Sequence, residues 1–154
     1  MAPRVLLYLL AAAAGITSVS AAALPEPAPF SIPADAEILD LRTEEDKKLG
    51  KRVNGGVYVC KAINFDANQG CKLILTTWGN PTSLVGSDYN NVISSAGADS
   101  GTNCQFFDAF NGDCIGQGYL PINNPGISDF TQFPWAGGGG QTWNDITSCI
   151  KCWY

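Results

Sequence analysis

Asn90-Asn91-Val92-Ile93-Ser94-Ser95 lies midway between two cysteine pairs of similar spacing, Cys60/Cys71 and Cys104/Cys114. A degraded copy, Trp143-Asn144-Asp145-Ile146-Thr147-Ser148, lies near the end of the chain. Reading outward from the two hexamers exposes an internal repeat. Cys60, Gly70-Cys71 and Asn91-x-Ile93-Ser94-Ser95 match Cys104, Gly112-Asp113-Cys114 and Asn144-x-Ile146-Thr147-Ser148. The distance from Gly70 to Ser95 is 25 residues and that from Gly112 to Ser148 is 36, so the second unit is longer by about eleven. The Pro- and Gly-rich stretch 121–140 is where the extra residues belong.

Each unit reads as β-structure. Runs rich in β-branched and aromatic residues, 57–63, 71–78, 104–110 and 114–120, are bounded by turn formers and predict strands. Asn111-Gly112 between two of them predicts a tight type I′ hairpin. Val92 and Ile93 form the apolar centre of a short strand or turn. No stretch of 53–154 carries a useful 3.6-residue apolar period. Two β units, each with one apolar face, bury those faces on each other as a sandwich.

What precedes 53 differs in composition. Arg4 and the ten apolar residues 5–14, followed by Val19-Ser20-Ala21, predict a signal peptide over 1–21. The run is too short to span a bilayer, which takes ~20 residues. Residues 22–52 begin with Leu24-Pro25-Glu26-Pro27-Ala28-Pro29, carry a charged run over 37–52, and have no cysteine and no aromatic after Phe30. Such a composition buries little and predicts a flexible pro-segment. It ends in Lys51-Arg52, a dibasic pair of the kind cut by kexin-type proteases. All six Cys and all four Trp lie in 53–154, which marks the boundary of the mature domain. The combination fits a eukaryotic, fungal-style secretory route.

In 53–154, three Lys against seven Asp leave a net charge of −4, with no Arg, Glu or His. That excludes nucleic acid, whose binding is led by Lys and Arg contacts to phosphate, and an anionic membrane surface. Cys60, Cys71, Cys104, Cys114, Cys149 and Cys152 imply a disulfide framework in a domain of this size. Zinc is disfavoured by the absence of His and of paired knuckles, and Cys149-Ile150-Lys151-Cys152 lacks the strand–helix setting of a redox motif. The repeat favours Cys60–Cys71 and Cys104–Cys114, each closing a hairpin, with Cys149 left to Cys152. A long-range pairing to the C-terminal cysteines is the competing arrangement. Pro81 spoils Asn80-Pro81-Thr82 as a glycosylation sequon.

On these residues the chain resembles the βγ-crystallin family. Its domains pair two Greek-key units, each with an aromatic-x-Gly hairpin and, in microbial members, an Asn/Asp-Asn/Asp-x-x-Ser/Thr-Ser calcium signature. Phe110-Asn111-Gly112 fits the hairpin in the second unit, and Phe65 stands before Gly70 in the first with an insertion between. Residues 90–95 fit the signature in full, whereas Trp143 replaces the first Asn/Asp of the second copy. The expected fold is therefore all-β, a small disulfide-bonded β-sandwich of two βγ-crystallin-like Greek-key units. The resemblance implies calcium as the one cofactor, held by Asn90, the Val92 carbonyl and Ser94, with Thr147 as the weaker counterpart. The plainer reading is that Asn and Ser cap a turn. Small secreted cysteine-rich fungal proteins, effector-like and killer-toxin-like, look similar in composition.

Without His, the Ser-His and Cys-His nucleophile pairs are impossible. Asp108 and Asp113 flank Asn111-Gly112, where Asp more commonly forms turns than carboxylate pairs. No catalytic activity is expected. Recognition is the better reading, because Trp78, Trp135, Trp143, Trp153 and Tyr119 are many aromatics for 102 residues. Trp135 sits in Phe133-Pro134-Trp135-Ala136-Gly137 within the inserted stretch, so Phe133 and Trp135 are the expected partner contacts. The expected function is that of a secreted, monomeric, non-enzymatic effector or toxin-like protein. It would bind a host protein, a glycan or a protease outside the producing cell. The alternatives are a calcium-binding or wall-associated structural protein and a protease inhibitor presenting 121–140.

Overall fold

In the computed structural model, residues 30–48, 56–109, 111 and 113–154 are described. The expected signal peptide 1–21 and the Lys51-Arg52 pair lie outside them, as do Phe110 and Gly112. Eight strands run in chain order: β1 (Ile38–Asp40), β2 (Val57–Cys60), β3 (Cys71–Leu75), β4 (Thr82–Ser83), β5 (Ser95–Ala98), β6 (Asn103–Phe107), β7 (Tyr119–Ile122) and β8 (Cys149–Trp153). One sheet has the order β1-β3-β2-β5, the other β4-β8-β6-β7. The fold is all-β, two-layered and braced by three disulfides. Among the described residues no helix is long and apolar enough to cross a membrane.

The two halves exchange strands. β4 belongs by sequence to the first unit but pairs with β8, Thr82 opposite Ile150. Reciprocally, Ile127 of the second unit bridges Ala96 of β5, through Ala96 N to the Ile127 carbonyl at 3.0 Å and back at 2.8 Å. Each sheet is thus completed by the other unit, which makes the pair one cooperative body rather than two modules. The two-residue period of the strands decides what enters the core. Val57 and Val59 of β2, Ile74 of β3, Cys104 and Phe106 of β6, Leu120 and Ile122 of β7, and Ile150 of β8 face each other across the layers. Leu84, Tyr89, Ile93, Phe130 and Trp143 close the ends.

Several sequence expectations change at this level. The β6–β7 ladder ends at Phe107↔Tyr119, so the described residues 113–118 are not strand as expected, and the Asn111-Gly112 hairpin falls on Gly112, outside the described residues. Cys114 therefore lies off the ladder, away from Cys104. Cys104 stands directly across from Cys152 of β8 and bonds to it, while Cys114 bonds to Cys149. The hairpin bridge Cys60–Cys71 is as expected, its partners also directly opposite in their ladder. The favoured Cys104–Cys114 and Cys149–Cys152 pairs give way to the long-range arrangement, because the cross-ladder neighbour of Cys104 comes from the chain end.

Nor are residues 30–48 loose. β1 pairs parallel with β3 in the register Ile38↔Leu73, Leu39↔Ile74, Asp40↔Leu75. A short helix, α1 (Glu44–Lys48), follows. Thr43 caps α1 by accepting from the Asp46 amide, and Asp46 also accepts from the Thr77 hydroxyl at 2.6 Å. The ring of Phe30 stacks on Phe65 with centroids 4.6 Å apart and lies beside Tyr58 at 6.1 Å. It occupies the space a Cβ at Gly97 would need. Composition misjudged this segment because a few apolar side chains in a charged run, Phe30, Leu39 and Leu41, suffice when a sheet edge and a bare sheet face receive them.

Candidate functional site

The first hexamer is a turn that hands the chain into β5. Asn91 adopts φ 56°, a left-handed conformation that Asn tolerates well. The second hexamer turns at Asp145 with φ 59°, one position later than strict alignment of the copies would place it. The two turns are stitched to each other. The Asn91 amide donates to the Thr147 carbonyl at 2.9 Å, and the Asp145 amide donates to the Ile93 carbonyl at 3.1 Å. The Ser148 hydroxyl donates to the Asn91 side-chain carbonyl at 2.8 Å. Ser95 donates to the Ala62 carbonyl at 2.7 Å, and the Ser94 hydroxyl reaches the Lys61 carbonyl at 3.0 Å and the carboxylate of Asp145. Thus the Asn and Ser positions do the turn-capping work of the plainer reading.

Two oxygens are left over, one in each hexamer. Asn90 Oδ1 and Thr147 Oγ1 are buried without a hydrogen-bond partner among the described residues. An unsatisfied buried polar atom costs about 1–3 kcal/mol. The neighbourhood therefore offers neutral oxygens and one carboxylate, Asp145, whose pKa partial burial raises despite the hydrogen bonds from Ser94 and Asn144 that lower it. Hard cations prefer oxygen ligands, and low ligand charge means low affinity. The donor set fits a weak calcium site. Among the described residues no group of three or more His, Cys, Asp or Glu is placed so that it could hold a metal ion. Trp143 is 3% exposed and part of the core, so the degraded position of the second copy holds packing volume where a ligand would stand.

A second cluster forms at the other sheet. On the outer face of β6 and β7, Phe107 and Tyr119 pair across the ladder with ring centroids 5.9 Å apart, and Tyr119 is 52% exposed. Asp108 follows Phe107 and accepts from the Gln117 amide at 3.0 Å and from Trp135 Nε1 at 2.9 Å. Gly116 leaves space for that carboxylate, and Ala136 lies against Gly118. Cys149, opposite Phe107 in the ladder, ties loop 108–118 to the sheet through Cys114. Asp108 is therefore a scaffold for the loop and for Trp135, in keeping with the turn-forming reading of that residue.

Trp135, expected as an exposed loop-tip contact, is half-buried against the core with its N–H held by Asp108 and Gly137 over its ring. Phe133 is exposed. Sequence reasoning singled out Trp135 and Phe133 but passed over Phe107, since only the β6–β7 register brings it beside Tyr119. Its signal was present as the outward position of an alternating strand, Asn103-Cys104-Gln105-Phe106-Phe107.

No family model matches the chain, and no curated protein does. Among solved structures it is similar to a βγ-crystallin domain from Flavobacterium johnsoniae, with 20% identity and a TM-score of 0.44, covering 62% of this chain and 91% of that one. It is likewise similar to a βγ-crystallin domain from Clostridium beijerinckii, with 18% identity and a TM-score of 0.42, covering 64% and 97%. A βγ-crystallin from an archaeon aligns with 21% identity and a TM-score of 0.43, covering 63% and 95%.

Proposed function

We propose that the chain is a secreted, pro-processed, non-enzymatic binding protein of effector or toxin-like type, acting outside the producing cell on a host or competitor target. The observation that supports this reading is the ring pair of Phe107 and half-exposed Tyr119 on β6 and β7, with the Trp135 indole held by Asp108, the residue after Phe107, where a disulfide-tied loop begins. Aromatic anchors on a rigid support are the usual carriers of binding energy. Three disulfides are compatible with an oxidising, extracellular setting. Tyr119→Ala is expected to leave the melting midpoint within a few degrees of the parent and to weaken target binding about tenfold. Trp135→Ala should weaken it as much, while also loosening loop 108–118. The readouts are damage to cells by pure protein, stoichiometric titration of a protease, and pelleting with insoluble polysaccharide. They separate a toxin, an inhibitor and a wall-associated protein. Binding by Tyr119→Ala equal to the parent's in whichever assay responds would sink the reading.

Calcium binding is the second reading, favoured by the orphaned oxygens of Asn90 and Thr147. Asn90, the Val92 carbonyl and Ser94 would hold an ion at the first hexamer, with Thr147 the weaker counterpart in the second; the Asp145 carboxylate accepts from Ser94. A cation there supplies positive charge that stabilises the turn and favours the ionised carboxylate. Asp145 makes this testable by sign. Its raised pKa means that the folded state binds this proton more tightly than the unfolded chain. The stability from it is full below the ordinary carboxyl value of 3.8 and is lost as pH rises through the raised value. Saturating calcium should reverse the direction, lowering the Asp145 titration midpoint in an NMR pH series. An unchanged midpoint would retire the metal reading.

A further inference from the structure

The two sheets are built alike except at one edge. β7, the outer strand of its sheet, carries Pro121, which has no N–H to offer an incoming strand. β3 occupies the equivalent place in the other sheet and has no proline over Cys71–Leu75. Its edge is covered by the segment that precedes Lys51-Arg52. The Leu73 amide donates to the Glu37 carbonyl at 2.8 Å, and the Leu41 amide donates to the Leu75 carbonyl at 3.0 Å. Lys72 Nζ meets the Glu37 carboxylate at 2.6 Å. Leu39 and Leu41 turn inward against the core and wall a cleft of about 370 Å³ whose other side includes Ser87 and Tyr89. Asn124 Nδ2 grips the Phe30 carbonyl at 2.9 Å. No disulfide joins 30–48 to the rest, since all six cysteines pair within 60–152. Once the chain is cut after Arg52, non-covalent contacts alone hold the segment, the Thr77–Asp46 hydrogen bond and the stacking of Phe30 on Phe65 among them.

We propose that residues 30–48 are a cleavable plug, and that the groove they fill beside β3 is a docking site for an extended peptide. The peptide would carry the pattern shown by Glu37-Ile38-Leu39-Asp40-Leu41, an acidic residue two places before the first of two alternating apolar residues. Edge addition provides the main-chain bonds, Lys72 reads the acid, and the core surface against which Leu39 and Leu41 pack takes the alternate apolar side chains. The plug keeps an unguarded edge from pairing before secretion is complete. The proposal rests on the processing reading above, and the test separates the two.

The uncut protein, residues 22–154, is treated with a kexin-type protease, and mass spectrometry reads the cut. Absence of cleavage after Arg52 counts against the processing reading alone. A second chain with a foreign protease site replacing 49–53 still allows the segment to be released. Labelled peptide 30–48 is then added to the cut protein. It should exchange into the complex by native mass spectrometry. A Leu39→Asp, Leu41→Asp peptide should compete at least about tenfold less well, and a Glu37→Lys peptide should also be weaker. The proposal is overturned if the peptide neither stays nor exchanges while the domain remains folded, or if the variant peptides compete equally. It is also overturned if the freed domain unfolds, or closes its β3 edge on a second copy that peptide cannot displace.

Discussion

Replacing Cys104 and Cys152 together by alanine is expected to lower stability by about 4 kcal/mol. The bridge closes a separation of 48 residues, against 11 for Cys60–Cys71. By the loop-entropy relation these correspond to about 4 and about 2.8 kcal/mol. In a domain of this size each kcal/mol moves the melting midpoint by roughly 4–8 °C, so the double variant should melt about 15–30 °C lower. The bridge also lies inside the core, both cysteines about 1% exposed, directly across the β6–β8 ladder. Its loss therefore loosens the last strand of the chain, on which β4 of the first unit depends for pairing, and leaves Cys114–Cys149 as the one disulfide on β8. The Cys60–Cys71 double variant should lose visibly less. Equal losses from the two variants, read by thermal melts of oxidised protein, would mean that β8 is not tied into the sheet as described.

Trp143→Asn restores the first residue of the calcium signature in the second hexamer and is expected to destabilise the protein by about 3–5 kcal/mol. Trp143 is 3% exposed, and its amide donates to the Phe133 carbonyl at 2.9 Å. Removing an indole from a packed interior costs roughly that much through lost transfer energy and the cavity left behind. The new amide adds the cost of burying a polar group without a partner. Trp143→Phe keeps most of the volume and should lose less than half as much. A denaturant melt decides, with the midpoint shifted at unchanged slope. A Trp143→Asn variant as stable as the parent would show that the indole is dispensable to the core.

The parts of the fold that were legible in the sequence were those whose side chains state their own surroundings. Val57-Tyr58-Val59 and Leu73-Ile74-Leu75 read as strands because β-branched and apolar residues gather there. The paired hexamers revealed two units because turn chemistry needs particular residues at particular places. β5, Ser95-Ala96-Gly97-Ala98, carries no such signal. Its residues are small because the strand is buried on both faces, with Phe30 lying over Gly97, and smallness alone does not announce a strand. β1 was hidden by the charges around it, since what makes it a strand is the vacant edge of β3 rather than its own propensity. The Cys104–Cys152 pair was hidden for the same reason. Spacing along the chain pointed to Cys114, while the neighbour across the ladder came from 48 residues away.

The candidate sites divide similarly. Asn90, Ser94 and Thr147 were singled out by the hexamer pattern alone, and the stitching of one hexamer to the other by main-chain bonds came only with the fold. Trp135 was found for its place in a loop, yet its indole N–H reaches back to Asp108. What joins it to Phe107 and Tyr119 is the loop 108–118, anchored through Cys114 to the strand that also faces Phe107. The aromatic cluster therefore depends on β8 lying beside β6, and so does the exchange of β4 between the units.

One measurement tests that arrangement most directly: a disulfide map of the unreduced protein by proteolysis and mass spectrometry. Linked peptides joining Cys60 to Cys71, Cys104 to Cys152, and Cys114 to Cys149 are the predicted result. Peptides joining Cys104 to Cys114 and Cys149 to Cys152 would contradict it, returning the second unit to a local hairpin and removing the support on which the aromatic cluster stands.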